Sequence, residues 1–156
     1  MKRALITGSF DPITVGHLNL IERASKIFDE VFVVAFINPQ KSYRFDTETR
    51  LELMRAATKH IKNVKCDFSS GMVFEYVKEN GIDCIVKGAR NGADFEYEER
   101  MAIFNLEKSG AETLILPASP ALCDCSSTKV RSYLDRGMSV DELLPDEVAR
   151  RIEEKN

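Results

Sequence analysis

Residues 3–37, RALITGSFDPITVGHLNLIERASKIFDEVFVVAFI, decide the fold. Apolar runs at 3–7 and 31–37 bound the stretch, rich in the β-branched and aromatic side chains that suit a buried, pleated surface. Between them Leu20, Ile21, Ala24, Ile27 and Phe28 recur at helical spacing, which predicts one apolar helix face. A strand, a helix and a strand of these lengths make a β-α-β unit, with parallel strands joined by a crossover helix.

The same alternation continues to the end of the chain. A helix is expected over 47–60, with Leu51, Met54, Thr58 and Ile61 in register and Asp46 as its N-cap. Residues 63–67 read as a short strand, and 72–79 as a helix stopped by Gly81. Residues 82–86 predict another strand, 93–108 a longer helix ending near Gly110, and 112–116 the last strand. Helices near 127–135 and 145–154 follow, Pro145 suiting the first turn of the second. Five strands with intervening helices predict an α/β, doubly wound, Rossmann-like fold: a five-stranded parallel sheet with helices on both faces. No repeat, low-complexity tract or linker breaks the pattern, so residues 1–156 read as a single domain.

At 156 residues and 44% hydrophobic content, the chain can build a core without disulfides or a structural metal. The net charge of −3 argues against a nucleic-acid partner. No apolar run approaches the roughly 18 residues that span a bilayer, and no charged-then-apolar leader precedes the first strand. A cytoplasmic location is therefore expected, with no membrane partner and with Cys66, Cys84, Cys123 and Cys125 as reduced thiols. Cys66 and Cys84 lie in strand-like runs and read as small buried hydrophobes. Cys123-Asp124-Cys125 has no second pair or histidine cluster at zinc-like spacing, so no metal site is expected there.

Doubly wound sheets bind ligands beyond the carboxyl ends of their strands, which directs attention to those loops. The first strand runs into Thr7-Gly8-Ser9-Phe10-Asp11-Pro12-Ile13-Thr14-Val15-Gly16-His17. Gly8 and Gly16 permit close backbone approach, and Pro12 stiffens the loop. His17 falls at a helix N-terminus, where unpaired N–H groups and the dipole favour an anion. The segment is neither a Rossmann glycine fingerprint nor a P-loop.

This segment resembles the T/HxGH motif of the nucleotidylyltransferase superfamily, and in its Gly-Ser-Phe-Asp-Pro form the bacterial phosphopantetheine adenylyltransferase family. The likeness covers essentially the whole chain. Asn38-Pro39-Gln40-Lys41 is similar to a family Pro-x-Lys, which implies that Lys41 reaches the acceptor phosphate. Lys87-Gly88-Ala89-Arg90, followed by Asp94-Phe95-Glu96-Tyr97-Glu98, resembles the family's Arg-Gly-x-Arg stretch and the acidic-aromatic run after it. The likeness implies Gly88, Ala89, Arg90 and Glu98 at the ATP, with Arg90 on its phosphates, and Lys87 at the acceptor. Lys87 stands where arginine is common; it keeps the charge and loses the bidentate fork.

Asp124-Cys125-Ser126-Ser127-Thr128-Lys129-Val130-Arg131 is similar to the superfamily's ISSTxxR signature. By that likeness Ser127 and Thr128 hold the β- and γ-phosphates, with Leu122, Cys123, Asp124, Cys125 and Ser126 beside the nucleotide. Leu122 replaces a tryptophan of some members and Cys125 the usual isoleucine, changes that bear on adenine packing. Ser9 and Phe10 match residues beside the ATP and acceptor phosphates. Val73 matches a substrate-lining position and reads equally well as a core valine. His60 has no motif around it and reads as a surface residue.

The resemblance implies reversible adenylyl transfer from ATP to 4′-phosphopantetheine, giving dephospho-coenzyme A and pyrophosphate in coenzyme A biosynthesis. The acceptor phosphate is already an anion, so no general base is needed. His17 donating to the α-phosphate, with Lys41 and Arg90 nearby, would stabilise the reacting charge. The resemblance further implies Mg2+ with the ATP, coenzyme A as a feedback ligand and a homohexamer. Met101-Ala102-Ile103-Phe104 is apolar around most of its helix, which suits a subunit contact. Two other readings remain: a superfamily enzyme acting on nicotinate mononucleotide or a polyol phosphate, and a non-catalytic adenine-nucleotide sensor.

Overall fold

The computed structural model describes residues 1–155. The strands are β1 (Arg3–Gly8), β2 (Glu30–Phe36), β3 (Val64–Ser69), β4 (Cys84–Ala89) and β5 (Glu112–Pro117). They form one sheet in the order β3-β2-β1-β4-β5, every pairing parallel. The chain winds outward from β1 to β3, returns to lay β4 beside β1, and finishes at β5. The order therefore reverses between β1 and β4, and the crevice opens at the carboxyl ends of those strands.

The helices are α1 (Val15–Ser25), α2 (Thr47–Thr58), α3 (Val73–Asn80), α4 (Gly92–Ser109), α5 (Ser127–Asp135) and α6 (Asp146–Lys155). Strand pleating sends alternate residues to opposite faces, and both faces are covered. Ala4, Ile6, Val31, Val33 and Val86 pack on one side with Ile21 and Ala24 of α1, Leu53 and Met54 of α2, Val130 of α5 and Val148 of α6. Leu5, Val34 and Ile85 pack on the other against Tyr76 and Val77 of α3. α4 lies alongside α3, β4 and β5. Leu5 and Leu53 have no solvent exposure; truncating either to alanine costs about 2–5 kcal/mol.

The expected elements are all present, with three local differences. Ile27, read as part of the α1 core face, is 59% exposed, because the helix ends at Ser25 and the chain turns before β2. β4 begins at Cys84, not Ile82, because the Ile82 N–H donates to Val77 O and terminates α3. Pro145 precedes α6, its carbonyl accepting from the N–H groups of Val148 and Ala149, so it stands before the first turn rather than within it. Asp46 caps α2 as expected, accepting from the Thr49 N–H at 2.7 Å. No helix among the described residues is long and apolar enough to cross a membrane.

Candidate active site

The β1–α1 loop carries the site, and its chemistry begins with a helix cap. Thr14 is the N-cap of α1 and its hydroxyl accepts from the His17 N–H at 3.3 Å. His17 Nδ1 in turn accepts from the Thr14 N–H at 3.0 Å. This is a capping box in which an imidazole fills the place usually taken by Glu or Gln. A backbone N–H can only donate, so Nδ1 is unprotonated and the proton of the neutral ring sits on Nε2. Burial, and secondarily the Lys87 ammonium, lower the His17 pKa from 6.5 to about 4. The ring is therefore a neutral hydrogen-bond donor at neutral pH.

Phe10 supports that ring from below, edge to face, with centroids 5.0 Å apart. Phe10 is buried and holds a backbone φ of 48°, rare for a residue with a side chain. At Gly8, the end of β1, an added Cβ would lie 3.1 Å from Phe10 Cζ, so the Phe10 ring would have to shift to admit a larger residue. At Gly16 the nearest atom to such a Cβ is 3.5 Å away, ordinary contact, so crowding within the chain does not require glycine there.

His17 opens into a cavity of about 550 Å³ over the carboxyl ends of β1 and β4. Lys87, Gly88, Arg90, Glu98, Leu122, Cys125, Ser126, Ser127 and Thr128 line it, so the three motif segments converge. Two helix N-termini face the space. Besides α1, α5 is capped by Ser126, whose hydroxyl accepts from the Lys129 N–H at 3.1 Å. First-turn N–H groups have no acceptor within their own helix, so Ser127 and Thr128 suit an anion. The Ser127 hydroxyl itself donates to Pro12 O at 2.7 Å, which leaves its N–H as the group available to a phosphate. Arg90 is tethered at the rim: its Nη1 donates to Cys123 O at 3.2 Å and its Nε to Asp94 at 3.3 Å. Asn91 caps α4 through the Asp94 N–H, fixing that aspartate beside Arg90.

A second cavity of about 260 Å³ lies between β1, α3 and α4, lined by Ser9, Phe36, Val73, Met101, Ala102 and Asn105 among others. Val73 is half-buried: it lines this cavity and also packs against the Leu5, Val34 and Ile85 side of the core. Thr7, Lys87, Tyr97 and Glu98 line both cavities. Lys87 Nζ sits on that shared wall, 3.2 Å from Thr7 Oγ1 and 3.4 Å from Glu98 Oε2. A cation placed between two cavities can contact ligands on both sides.

The remaining expected site residues lie elsewhere. Lys41 is exposed on the β2–α2 loop and lines neither cavity; its ammonium stands 5.8 Å from the Tyr43 ring centroid. Phe10, Ala89, Cys123 and Asp124 also line neither cavity, Cys123 acting through its carbonyl on Arg90. His60 is exposed, near Glu22. All four cysteines are free thiols, and burial raises those of Cys66 and Cys84.

Other residues enter to which the motifs assigned no role. Asp11, 3% exposed, accepts from the N–H groups of both Arg44 and Phe45 at 2.9 Å and ties the two loops together. Arg131 Nη1 donates to Asp11 O at 2.8 Å, linking α5 to the same loop. Arg23 and Asn19 of α1 line the larger cavity, and Asn105 the smaller. Asp11 stands in the quoted motif, and its place before a proline in a loop is the one sequence signal for it; the α1 residues have none.

Residues 5–133 match a family described as cytidylyltransferase-like. Among solved structures, the protein named "Putative Nicotinate-nucleotide Adenylyltransferase" from Vibrio parahaemolyticus superposes with a TM-score of 0.76 at 20% identity, over 99% of this chain and 94% of that one. That likeness is one of fold. The family match spans β1 through α5, the stretch that builds both helix N-termini and the larger cavity. The chain belongs to the cytidylyltransferase-like family.

Proposed function

We propose that this nucleotidyltransferase moves the adenylyl group of ATP onto 4′-phosphopantetheine, releasing pyrophosphate and forming dephospho-coenzyme A. The observation that carries the reading is the pair of cavities meeting at Lys87, with the neutral His17 donor at the head of the larger one. ATP would take the larger cavity, its β- and γ-phosphates on the first turn of α5 near Arg90. The smaller cavity, with Val73, Phe36, Met101 and Ala102 on its walls, suits a narrow flexible arm such as pantetheine.

In the reaction an acceptor phosphate oxygen attacks the α-phosphorus, a P–O bond forms, and the bond to the pyrophosphate oxygen breaks. His17 Nε2–H would donate to an α-phosphate oxygen, and Lys87 would hold the acceptor phosphate in line. Lys41 is assigned to the same acceptor phosphate, reached by its long exposed side chain from the β2–α2 loop. Mg2+ would arrive on the ATP phosphates, which supply its oxygen ligands. The acids at the cavity, Asp94 and Glu98, are paired with Arg90 and Lys87.

The same reading places the enzyme in the cytoplasm, in coenzyme A biosynthesis, with coenzyme A as a feedback ligand. It also carries a homohexamer, for which Ile103, Phe104 and Leu106 of α4 and Leu114 of β5 offer an exposed apolar surface. A monomer in sedimentation at micromolar concentration would count against that assembly. The test of substrate is pyrophosphate release from ATP and magnesium with a panel of acceptors. Release dependent on 4′-phosphopantetheine supports the reading. Release only with nicotinate mononucleotide or a polyol phosphate moves the substrate, and ATP binding without any release makes the protein a nucleotide sensor.

A further inference from the structure

Arg50 is the largest side chain in the interior, only 1% exposed, and it belongs to neither cavity. It projects from the first turns of α2 toward the β1–α1 loop. Nη1 donates to Ser9 O at 2.8 Å and Nη2 to Thr47 Oγ1 at 3.3 Å. Its guanidinium carbon stands 3.9 Å from the Tyr43 ring centroid, while Nε, also buried, has no hydrogen-bond partner among the described residues. No carboxylate of the described residues comes within 4.0 Å of it. A buried cation with no carboxylate in contact is costly, and a leucine would fill the space. A leucine would also leave the Ser9 carbonyl without its donor and the Tyr43 ring without its partner.

Those two contacts join the β1–α1 loop, which reaches the smaller cavity at Ser9, to the β2–α2 loop that carries Lys41. The Ser9 peptide leads into the Phe10 turn beneath His17. Tyr43 holds the other loop: its hydroxyl accepts from the Asn38 N–H at 2.9 Å, and the Lys41 N–H donates to Asn38 O at 3.0 Å. The Lys41 ammonium borders the same Tyr43 ring. We propose that Arg50 is a positioning residue, which locks the Lys41 loop to the Ser9 turn and so fixes where the acceptor phosphate is received. The inference rests on the reading of Ser9, Lys41 and Lys87 as acceptor contacts. It is carried by the planar fork, which bonds and stacks at once in a way that lysine cannot.

Two measurements on full-length Arg50→Met and Tyr43→Leu variants test it. The first, hydrogen exchange in the free protein, does not depend on the acceptor's identity. Amides of residues 38–45 should exchange at least about tenfold faster than in the parent, while those of α3 stay within about twofold. The second is steady-state turnover with 4′-phosphopantetheine. The kcat/KM for the acceptor should fall at least about tenfold, with the ATP dissociation constant within about twofold. Unchanged exchange in the loop overturns the proposal, as does unchanged acceptor kinetics or a loss of ATP affinity in step with acceptor kinetics. If the parent shows no pantetheine-dependent release, the substrate reading fails and the exchange result alone decides the role of Arg50. If Arg50→Met does not fold, Tyr43→Leu, which keeps the arginine, decides it.

Discussion

The protonation of His17 links the cap of α1 to the stability of the whole protein. In the unfolded chain the imidazole titrates near 6.5, whereas in the fold burial and Lys87 hold it at about 4. Between those values the unfolded state binds a proton that the native state does not, so stability rises with pH through the window. The contribution is complete above 6.5 and is lost as the pH falls toward 4. At about 1.36 kcal/mol per pH unit, the window amounts to about 3 kcal/mol. His17→Gln is the informative control, since glutamine fits the same capping position and does not titrate. Urea unfolding of both proteins at a series of pH values isolates the histidine from the carboxylates, which the two share. The parent should lose about 3 kcal/mol more than the variant between neutral pH and pH 4. Stability curves that stay parallel to within about 0.5 kcal/mol across the window would refute the half-buried, neutral imidazole and the Nε2–H donor with it.

Three further outcomes follow from the site. His17→Ala should lower kcat by roughly 10² to 10³ while keeping the native circular dichroism and a cooperative melt, as expected for loss of one electrostatic donor; near-normal turnover removes His17 from the chemistry. Lys87→Met should raise the acceptor KM at least about tenfold through loss of a charged hydrogen bond, with ATP affinity little changed; equal loss for both ligands places Lys87 on the nucleotide. Asp11→Ala leaves the Arg44 and Phe45 N–H groups without their acceptor, and denaturant unfolding should show a loss of about 2–4 kcal/mol.

The fold was legible because hydrophobic periodicity is a local signal. The runs at 31–37 and 112–116 lie within a residue of β2 and β5, and helix 93–108 within a residue of α4. Where the reading slipped, a terminus was set by a tertiary or capping bond: the Ile82 N–H on Val77 O, or the Pro145 carbonyl receiving α6. Periodicity carries no record of such bonds. The site was legible where backbone N–H groups and motif residues coincide, at His17, Arg90 and Ser126–Thr128. It was not legible where long-range contacts matter. The Asp11 carboxylate acts on Arg44 and Phe45, and Arg50 on Ser9, across more than 30 residues of sequence. Nor could it show Lys41 standing outside both cavities, since spacing places a loop residue at a strand end without giving its reach.

The proposed function stands on transfer of the ATP α-phosphorus to an acceptor phosphate. Incubating the protein with ATP labelled at the α-phosphorus, magnesium and 4′-phosphopantetheine, and separating the products, tests it directly. The label should move into dephospho-coenzyme A, with equimolar unlabelled pyrophosphate and little transfer by His17→Ala. Label that stays in ATP or appears only as AMP, or that moves only when nicotinate mononucleotide is supplied, would contradict it.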